Sequence, residues 1–225
     1  MDIAEISRTS FCALMAKKIG IFGGSFDPIH LGHLKLAEEL MRVRHLDEVW
    51  FCPAFISPHK LEQQPASSKD RLAMLQLALE NKPWFKILDT EIVREAPSFT
   101  IDTLQELLAS QAGKPDSYQF YLILGEDALA GFQHWKQAED ILRLVPFLIG
   151  SRFNKDAVPD FSSYPEFQKV INAGWTPTSV LEISSTEVRN RLKEGLDCSQ
   201  ILPIKVLDYI KAHHLYYFPY EEKNH

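Results

Sequence analysis

The feature that most restricts how this chain can fold is an apolar run, Lys18-Ile-Gly-Ile-Phe22, closed by Gly23-Gly24 and followed a few residues later by an amphipathic segment. A short run of this kind that stops at glycines reads as a buried strand. From Leu31 to His45, Leu34, Ala37, Leu40 and Met41 share one helical face while Lys35, Glu38, Glu39 and Arg42 share the other, which predicts a helix after that strand. The unit then recurs. Glu48 to Cys52 reads as a strand, Pro53 to Ser67 as a loop rich in proline, serine and lysine, and Ser68 to Asn81 as a helix ended by Pro83. Phe85 to Ile92 is strand-like, Thr100 to Ser110 is an amphipathic helix with Gly113 beyond it, and Tyr118 to Leu124 is a further strand. Pro146 to Ser151 and Val180 to Ile183 read as the remaining strands, with a long irregular stretch from Arg152 to Thr178 that invites a functional reading. Helices are expected from Thr186 to Glu194 and from Pro203 to about His213. Strands alternating with helices at this spacing predict a doubly wound, Rossmann-like α/β fold. Its sheet is mostly parallel, with helices on both faces and a helical carboxyl-terminal part.

A chain of 225 residues suffices for one large domain with a sizeable core, which rules out a disulfide-stapled miniprotein. With 45% hydrophobic and 24% charged residues it is neither a disordered polymer nor a membrane protein by composition. A formal charge of -6 argues against tracking a nucleic-acid polymer, because such binding is driven by phosphate neutralisation with excess lysine and arginine. Cys12, Cys52 and Cys198 form no CxxC pair, so neither a disulfide framework nor a cysteine zinc site is readable. Asp2 and Glu5 precede the short apolar patch Phe11 to Ala16 and Lys17 and Lys18 follow it, the reverse of a secretory signal. Apolar stretches such as Phe120 to Leu124 are far below the ~20 residues that span a bilayer. The resulting expectation is a cytoplasmic protein with no membrane partner. Residues 16–216 are expected to form a single domain, 217–225 a frayed tail, and 1–15 an extension that is disordered or precedes a native start at Met15.

The chemistry concentrates between the first strand and the first helix, in Gly23-Gly24-Ser25-Phe26-Asp27-Pro28-Ile29-His30-Leu31-Gly32-His33. Ligands of open α/β sheets bind at the carboxyl ends of strands. Two glycines let backbone N–H groups approach a phosphate, and the next helix turns its unpaired N–H groups and positive dipole end to the same place. His30 and His33, three apart, project to one side of the helix start and can donate to phosphates as charge builds in a nucleotidyl transfer. A plain glycine turn with two ordinary histidines remains the alternative, whereas a zinc pair lacks a third ligand at any recognisable spacing. Neither a GxGxxG fingerprint nor a P-loop is present. Near the carboxyl end, Ser184 with Glu187 three later is a capping box, which by itself needs no ligand; with Arg189 it is also an anion site.

Gly24 to His33 resembles GxFDPxHxGH, the signature of the HxGH-type nucleotidyltransferases, and Ile183-Ser-Ser-Thr-Glu-Val-Arg189 resembles the ISSTxxR motif of the same superfamily. Within it the chain is most similar, from about Lys17 to Tyr216, to the bacterial nicotinate-nucleotide adenylyltransferases. The landmarks between the two motifs are Pro58-His59-Lys60, Ala96-Pro97-Ser98-Phe99-Thr100, Gly125-Glu126-Asp127 and Trp135. The loop Pro53-Ala54-Phe55-Ile56-Ser57 departs from the family, which often has asparagine there and proline where Ser57 stands.

The resemblance implies transfer of the adenylyl group of ATP to nicotinate mononucleotide. It implies His30 and His33 as catalytic residues and Gly23, Gly24, Ser25, Phe26, Ser184, Ser185, Thr186 and Arg189 as the ATP site, with Mg²⁺ carried in by ATP and no metal site of the protein's own. Lys60, Thr100, Asp127, Trp135 and Arg152 would bind the mononucleotide, Trp135 stacking on the pyridine ring and backbone N–H groups around Thr100 holding its carboxylate. Asp27 is expected to fix the turn rather than to act on substrate. The alternatives are an adenylyltransferase for nicotinamide mononucleotide or another phosphomonoester, and a non-catalytic nucleotide-binding module.

Overall fold

The computed structural model describes residues 16–56, 66–112, 114, 118–129, 131–151, 158, 160–161, 163–179 and 182–217. The expectations for 1–15, for 218–225, and for Lys60 and Arg152 lie outside the described residues. Six strands occur among the described residues: β1 (Lys17–Gly24), β2 (Glu48–Pro53), β3 (Phe85–Ile87), β4 (Tyr118–Gly125), β5 (Phe147–Ser151) and β6 (Trp175–Pro177). They form one sheet in the order β3-β2-β1-β4-β5-β6, and every pair is parallel. This is the doubly wound order: strands are added outward from β1 in one direction and then, from β4, in the other, so the crossovers on either side of β1 and β4 diverge and open a crevice at their carboxyl ends.

Strands covered on both faces must be apolar on both, which is why β5 is buried along its whole length and β1 through its centre. One core packs helix α1 (Leu31–Arg44) and helix α2 (Ser68–Leu79) onto the sheet around Phe22, Phe51, Met74 and Leu75. The other core gathers Ile21, Leu104, Leu122, Phe132 and Ile149 on the opposite face, with helix α4 (Thr100–Gln111), the short helix α5 (Glu126–Leu129) and helix α6 (Ala138–Leu144). Gly150 admits α1 to the sheet, since a Cβ there would lie 2.1 Å from Leu36 Cδ1.

Three expectations are corrected. Phe85 to Ile92 is a strand only to Ile87; a short helix, α3 (Thr90–Arg94), begins after Asp89 and carries Ile92 and Val93. The sixth strand among the described residues is Trp175–Pro177, which enters directly from helix α7 (Pro165–Gly174) inside the stretch expected to be irregular; Val180 and Leu181 of the expected strand lie outside the described residues. Glu182 and Ile183 have no regular structure. Ile183 is buried with Val188 in the same core, so its apolar signal belongs to the start of helix α8 (Ser185–Lys193), as a hydrophobic staple.

Candidate active site

At the end of β1 the backbone turns through Phe26, whose φ of 47° is left-handed. A side-chain-bearing residue pays of order 1–3 kcal/mol for such a backbone. Its ring offsets this by packing against Phe22, Phe51 and His33, with centroids 5.6, 5.5 and 5.1 Å away. The ring also lies under Gly24, where a Cβ would come within 3.0 Å of it.

His30 is the N-cap of α1, and the cap is built from two histidines. His30 Nδ1 accepts from the backbone N–H of His33 at 3.4 Å, and His33 Nδ1 accepts from the backbone N–H of His30 at 3.3 Å. The rings stack with centroids 3.7 Å apart. With Nδ1 accepting in both, the neutral rings carry their protons on Nε2, the donor a phosphate oxygen requires. No acidic residue occupies the first turn of α1, so its positive end is not neutralised from within the helix.

The carboxyl-terminal motif forms the start of α8. Ser184 is its N-cap and its Oγ accepts from Glu187 N at 3.1 Å, which is the N-cap half of the expected capping box. The next residues reach across to the first motif. Ser185 Oγ donates to the main-chain oxygen of Pro28 at 3.1 Å, and Arg189 Nη1 donates to that of Asp27 at 2.8 Å. Arg189 Nη2 donates to Thr186 Oγ1 at 3.2 Å. The Asp27 carboxylate is also occupied by protein: Oδ1 accepts from Ala66 N at 3.1 Å and from the Tyr216 hydroxyl at 2.7 Å.

A cleft of about 500 Å³ opens at this junction. Gly23, Gly24, Ser25, Phe26 and His33 line it from the first motif, Ser185 from the second, and Thr100, Asp127 and Trp135 from the segments beyond. His30 is 2% exposed and stands behind His33; Ser184, Thr186 and Arg189 are also not part of the lining. Trp135 follows a 3₁₀ turn, Phe132–His134, and packs at 5.3 Å on the buried Phe132 ring. Thr100 opens α4 behind an N-cap, Phe99, that makes no side-chain cap, so the first N–H groups of that helix lack a side-chain acceptor at the cap.

Several cleft or support residues escaped the sequence reading. Lys136 donates to both Asp102 carboxylate oxygens at 3.0 Å and lies 4.6 Å over the Phe99 ring. Glu91, 7% exposed, accepts from Thr103 Oγ1 at 2.7 Å. Burial, reinforced by Glu91, pushes the neighbouring Cys52 thiol well above its ordinary range, so it is no nucleophile near neutrality. Arg71 is 2% exposed and donates to the main-chain oxygens of Ser25, Phe55 and Ala66 at 2.7, 3.0 and 3.2 Å. Burial lowers its pKa and nearby Asp27 opposes that shift. A signal for it exists: Arg71 falls on the same helical face as Met74, Leu75 and Ala78, where a charged residue is out of pattern.

Comparison with known proteins fits this arrangement. A family model described as cytidylyltransferase-like matches residues 21–191. A probable nicotinate-nucleotide adenylyltransferase of Oceanobacillus iheyensis is 38% identical over 205 residues, covering 90% of this chain and 98% of that protein. The chain belongs to the nicotinate-nucleotide adenylyltransferase family. A second relative of that description, from Dehalococcoides mccartyi, is 36% identical over 91% of this chain and 99% of its own length. The family fold is also seen in Plasmodium falciparum nicotinic acid mononucleotide adenylyltransferase complexed with NaAD, which superimposes with a TM-score of 0.69 at 22% identity over 89% of this chain and 97% of that one. In this family member the two signature motifs touch at the mouth of the crevice between β1 and β4.

Proposed function

We propose that the protein transfers the adenylyl group of ATP to nicotinate mononucleotide, releasing pyrophosphate, as a step of NAD biosynthesis. The observation that carries this reading is the junction of the two motifs, Ser185 on Pro28 and Arg189 on Asp27, beside a cleft that also contains Thr100 and Trp135. An oxygen of the mononucleotide 5′-phosphate attacks the α-phosphorus of ATP; the P–O bond to the β-phosphate breaks and pyrophosphate leaves. The attacking phosphate is already largely ionised, since such groups have a second pKa of about 6, so no general base is needed. Holding the two polyanions in line supplies about 7–11 kcal/mol of the barrier reduction.

In this reading His33 donates to the departing phosphates, with His30 stacked behind it to fix its ring, while the Gly23 to Phe26 backbone and the start of α1 receive phosphate and ribose. Ser185 forms the far wall of the triphosphate site, and Ser184, Thr186 and Arg189 belong to the helix start that holds it there. Mg²⁺ enters with ATP as part of the substrate; among the described residues no three His, Cys, Asp or Glu cluster to hold an ion. Trp135 stacks on the pyridine ring, Asp127 lies beside it, and the N–H groups at the start of α4 take the carboxylate; Lys60 and Arg152 supply charge for the phosphate. Helix-start donors favour a carboxylate over a neutral carboxamide. Among the described residues no helix is long and apolar enough to cross a membrane, and Cys52 and Cys198 are both unpaired and buried. Those thiols support the cytoplasmic setting.

The test is pyrophosphate release with Mg·ATP and a panel of mononucleotides. The acid mononucleotide should be used with a kcat/KM well above that of its amide. Equal values for the two would overturn the pocket assignment, and binding of ATP with no release for any acceptor would favour a non-catalytic module.

A further inference from the structure

After the last helix among the described residues, Leu215 and Tyr216 return to the signature loop. After helix α9 (Ile204–Ala212), Leu215 N donates to Ile210 O at 3.0 Å, and Leu215 and Tyr216 pack against the core shared by α1 and α2. Tyr216 has a φ of 66°, a left-handed backbone that a tyrosine adopts only where its surroundings over-determine it. What fixes it lies 189 residues earlier: its hydroxyl donates to Asp27 Oδ1 at 2.7 Å.

Asp27 is 5% exposed, and a carboxylate so buried must be held by donors. Ala66 N, from the segment before α2, bonds the same oxygen as Tyr216, and Arg189 Nη1 lies 3.7 Å from the other. Its own main-chain oxygen and that of Pro28 are the points where the carboxyl-terminal motif meets the loop. Its preceding neighbour, Phe26, is the ring against His33. A change in the Asp27 side chain therefore reaches both the histidine and the serine of the cleft.

We propose that Tyr216 is a positioning residue for the ATP end of the site: through the Asp27 carboxylate it fixes the loop that carries His30 and His33 against Ser185 and Arg189. Burial above all, and then the adjoining Asp27, push the Tyr216 hydroxyl above its ordinary range, so it stays a donor at any working pH. The proposal rests on the adenylyl-transfer reading.

The test is Tyr216→Phe, which keeps the ring and removes the donor, with Asp27→Asn and their double variant. Tyr216→Phe should fold and lower kcat about tenfold, with KM for Mg·ATP raised and KM for the mononucleotide unchanged. Because the effect runs through Asp27, the double variant should be little worse than Asp27→Asn alone. Tyr217→Phe, at an exposed neighbour, should match the wild type. A lowered Tm with both KM values and kcat per folded molecule unchanged would make Tyr216 a structural latch only and overturn the proposal, as would full additivity in the double variant. Should Tyr216→Phe yield no folded protein, an Asp27→Asn enzyme with wild-type kcat and KM for Mg·ATP overturns it equally. Absence of transfer by the wild type itself is a different result, which removes the reading beneath the proposal.

Discussion

Arg189 Nη1 donates to the main-chain oxygen of Asp27 across 162 residues of sequence, at 2.8 Å. A charge-assisted bond of this kind contributes about 1.5–3 kcal/mol, but its placement matters more than its size. It joins the loop after the first strand of the sheet to the first turns of α8, which follows the last strand. The guanidinium also reaches Thr186 Oγ1 with its second nitrogen, so the contact defines an angle as well as a distance. Two chain segments that each present helix-start N–H groups are thereby held at one crevice.

His33→Ala should lower kcat by about 10²- to 10³-fold, the usual loss for one transition-state donor. The substitution also removes half of the histidine cap, so about 1 kcal/mol of stability goes with it and turnover must be expressed per folded molecule. His30→Ala removes the side chain that accepts from His33 N and should show a stability loss of similar size. Near wild-type turnover in folded His33→Ala would defeat the assignment.

Arg71→Met should destabilise the protein by about 3 kcal/mol, because three main-chain oxygens lose a buried donor and Asp27 loses a nearby positive charge. For a chain of this length that is a fall in Tm of roughly 6–12 °C. Arg71→Lys keeps the charge but cannot reproduce the fork, and should lose more than half as much. Thermal and urea denaturation of the three proteins decide it; a wild-type curve for Arg71→Lys would show that charge alone, not the three-way bonding, holds these loops.

The strand-glycine-helix unit and both signature segments were legible because each is local. The period of Leu34, Ala37 and Leu40 and the spacing of His30 and His33 lie within a few turns of one element. What escaped was non-local or short. Trp175–Pro177 has too few residues to show a period of two, and Ile183 owes its apolar character to its place as a staple beside Val188 rather than to a strand. The Arg71 fork joins Ser25, Phe55 and Ala66, and the Tyr216 hydroxyl meets a carboxylate far upstream; no spacing in the sequence records either. The Asp27 carboxylate accepts from Ala66 N and from the Tyr216 hydroxyl, and neither partner is near it in the sequence.

The pH dependence of stability should carry a Tyr216 component. Its folded pKa is raised above the ordinary tyrosine value of about 10, first by burial and then by Asp27, so the folded chain favours the protonated form. Below about pH 10 both states are protonated and the contribution is complete; above it the unfolded chain loses the proton first and stability falls. The raised Cys52 thiol acts with the same sign from about pH 9 upward, so the informative quantity is the difference between wild type and Tyr216→Phe. In urea titrations between pH 8 and 11, that difference should be constant to about pH 10 and then shrink; a constant difference to pH 11 would mean the hydroxyl is not buried against a carboxylate.

Two glycine substitutions should separate stability from catalysis. Gly174 ends α7, where alanine ordinarily favours a helix by about 0.5–1 kcal/mol, but a Cβ there would lie 2.3 Å from the main-chain oxygen of Phe147 and 2.9 Å from its carbonyl carbon. Backbone cannot move aside as a side-chain tip can, so Gly174→Ala should destabilise by about 1–3 kcal/mol while kcat per folded molecule is unchanged. Gly23 is the opposite case: a Cβ would meet no protein atom within 4 Å, yet the residue lines the cleft. Gly23→Ala should therefore keep the wild-type Tm and raise KM for Mg·ATP severalfold, because the added methyl occupies space the nucleotide needs. Calorimetric Tm values beside steady-state kinetics for both variants check the pair, and a Gly23→Ala enzyme with unaltered KM would place the nucleotide elsewhere in the cleft.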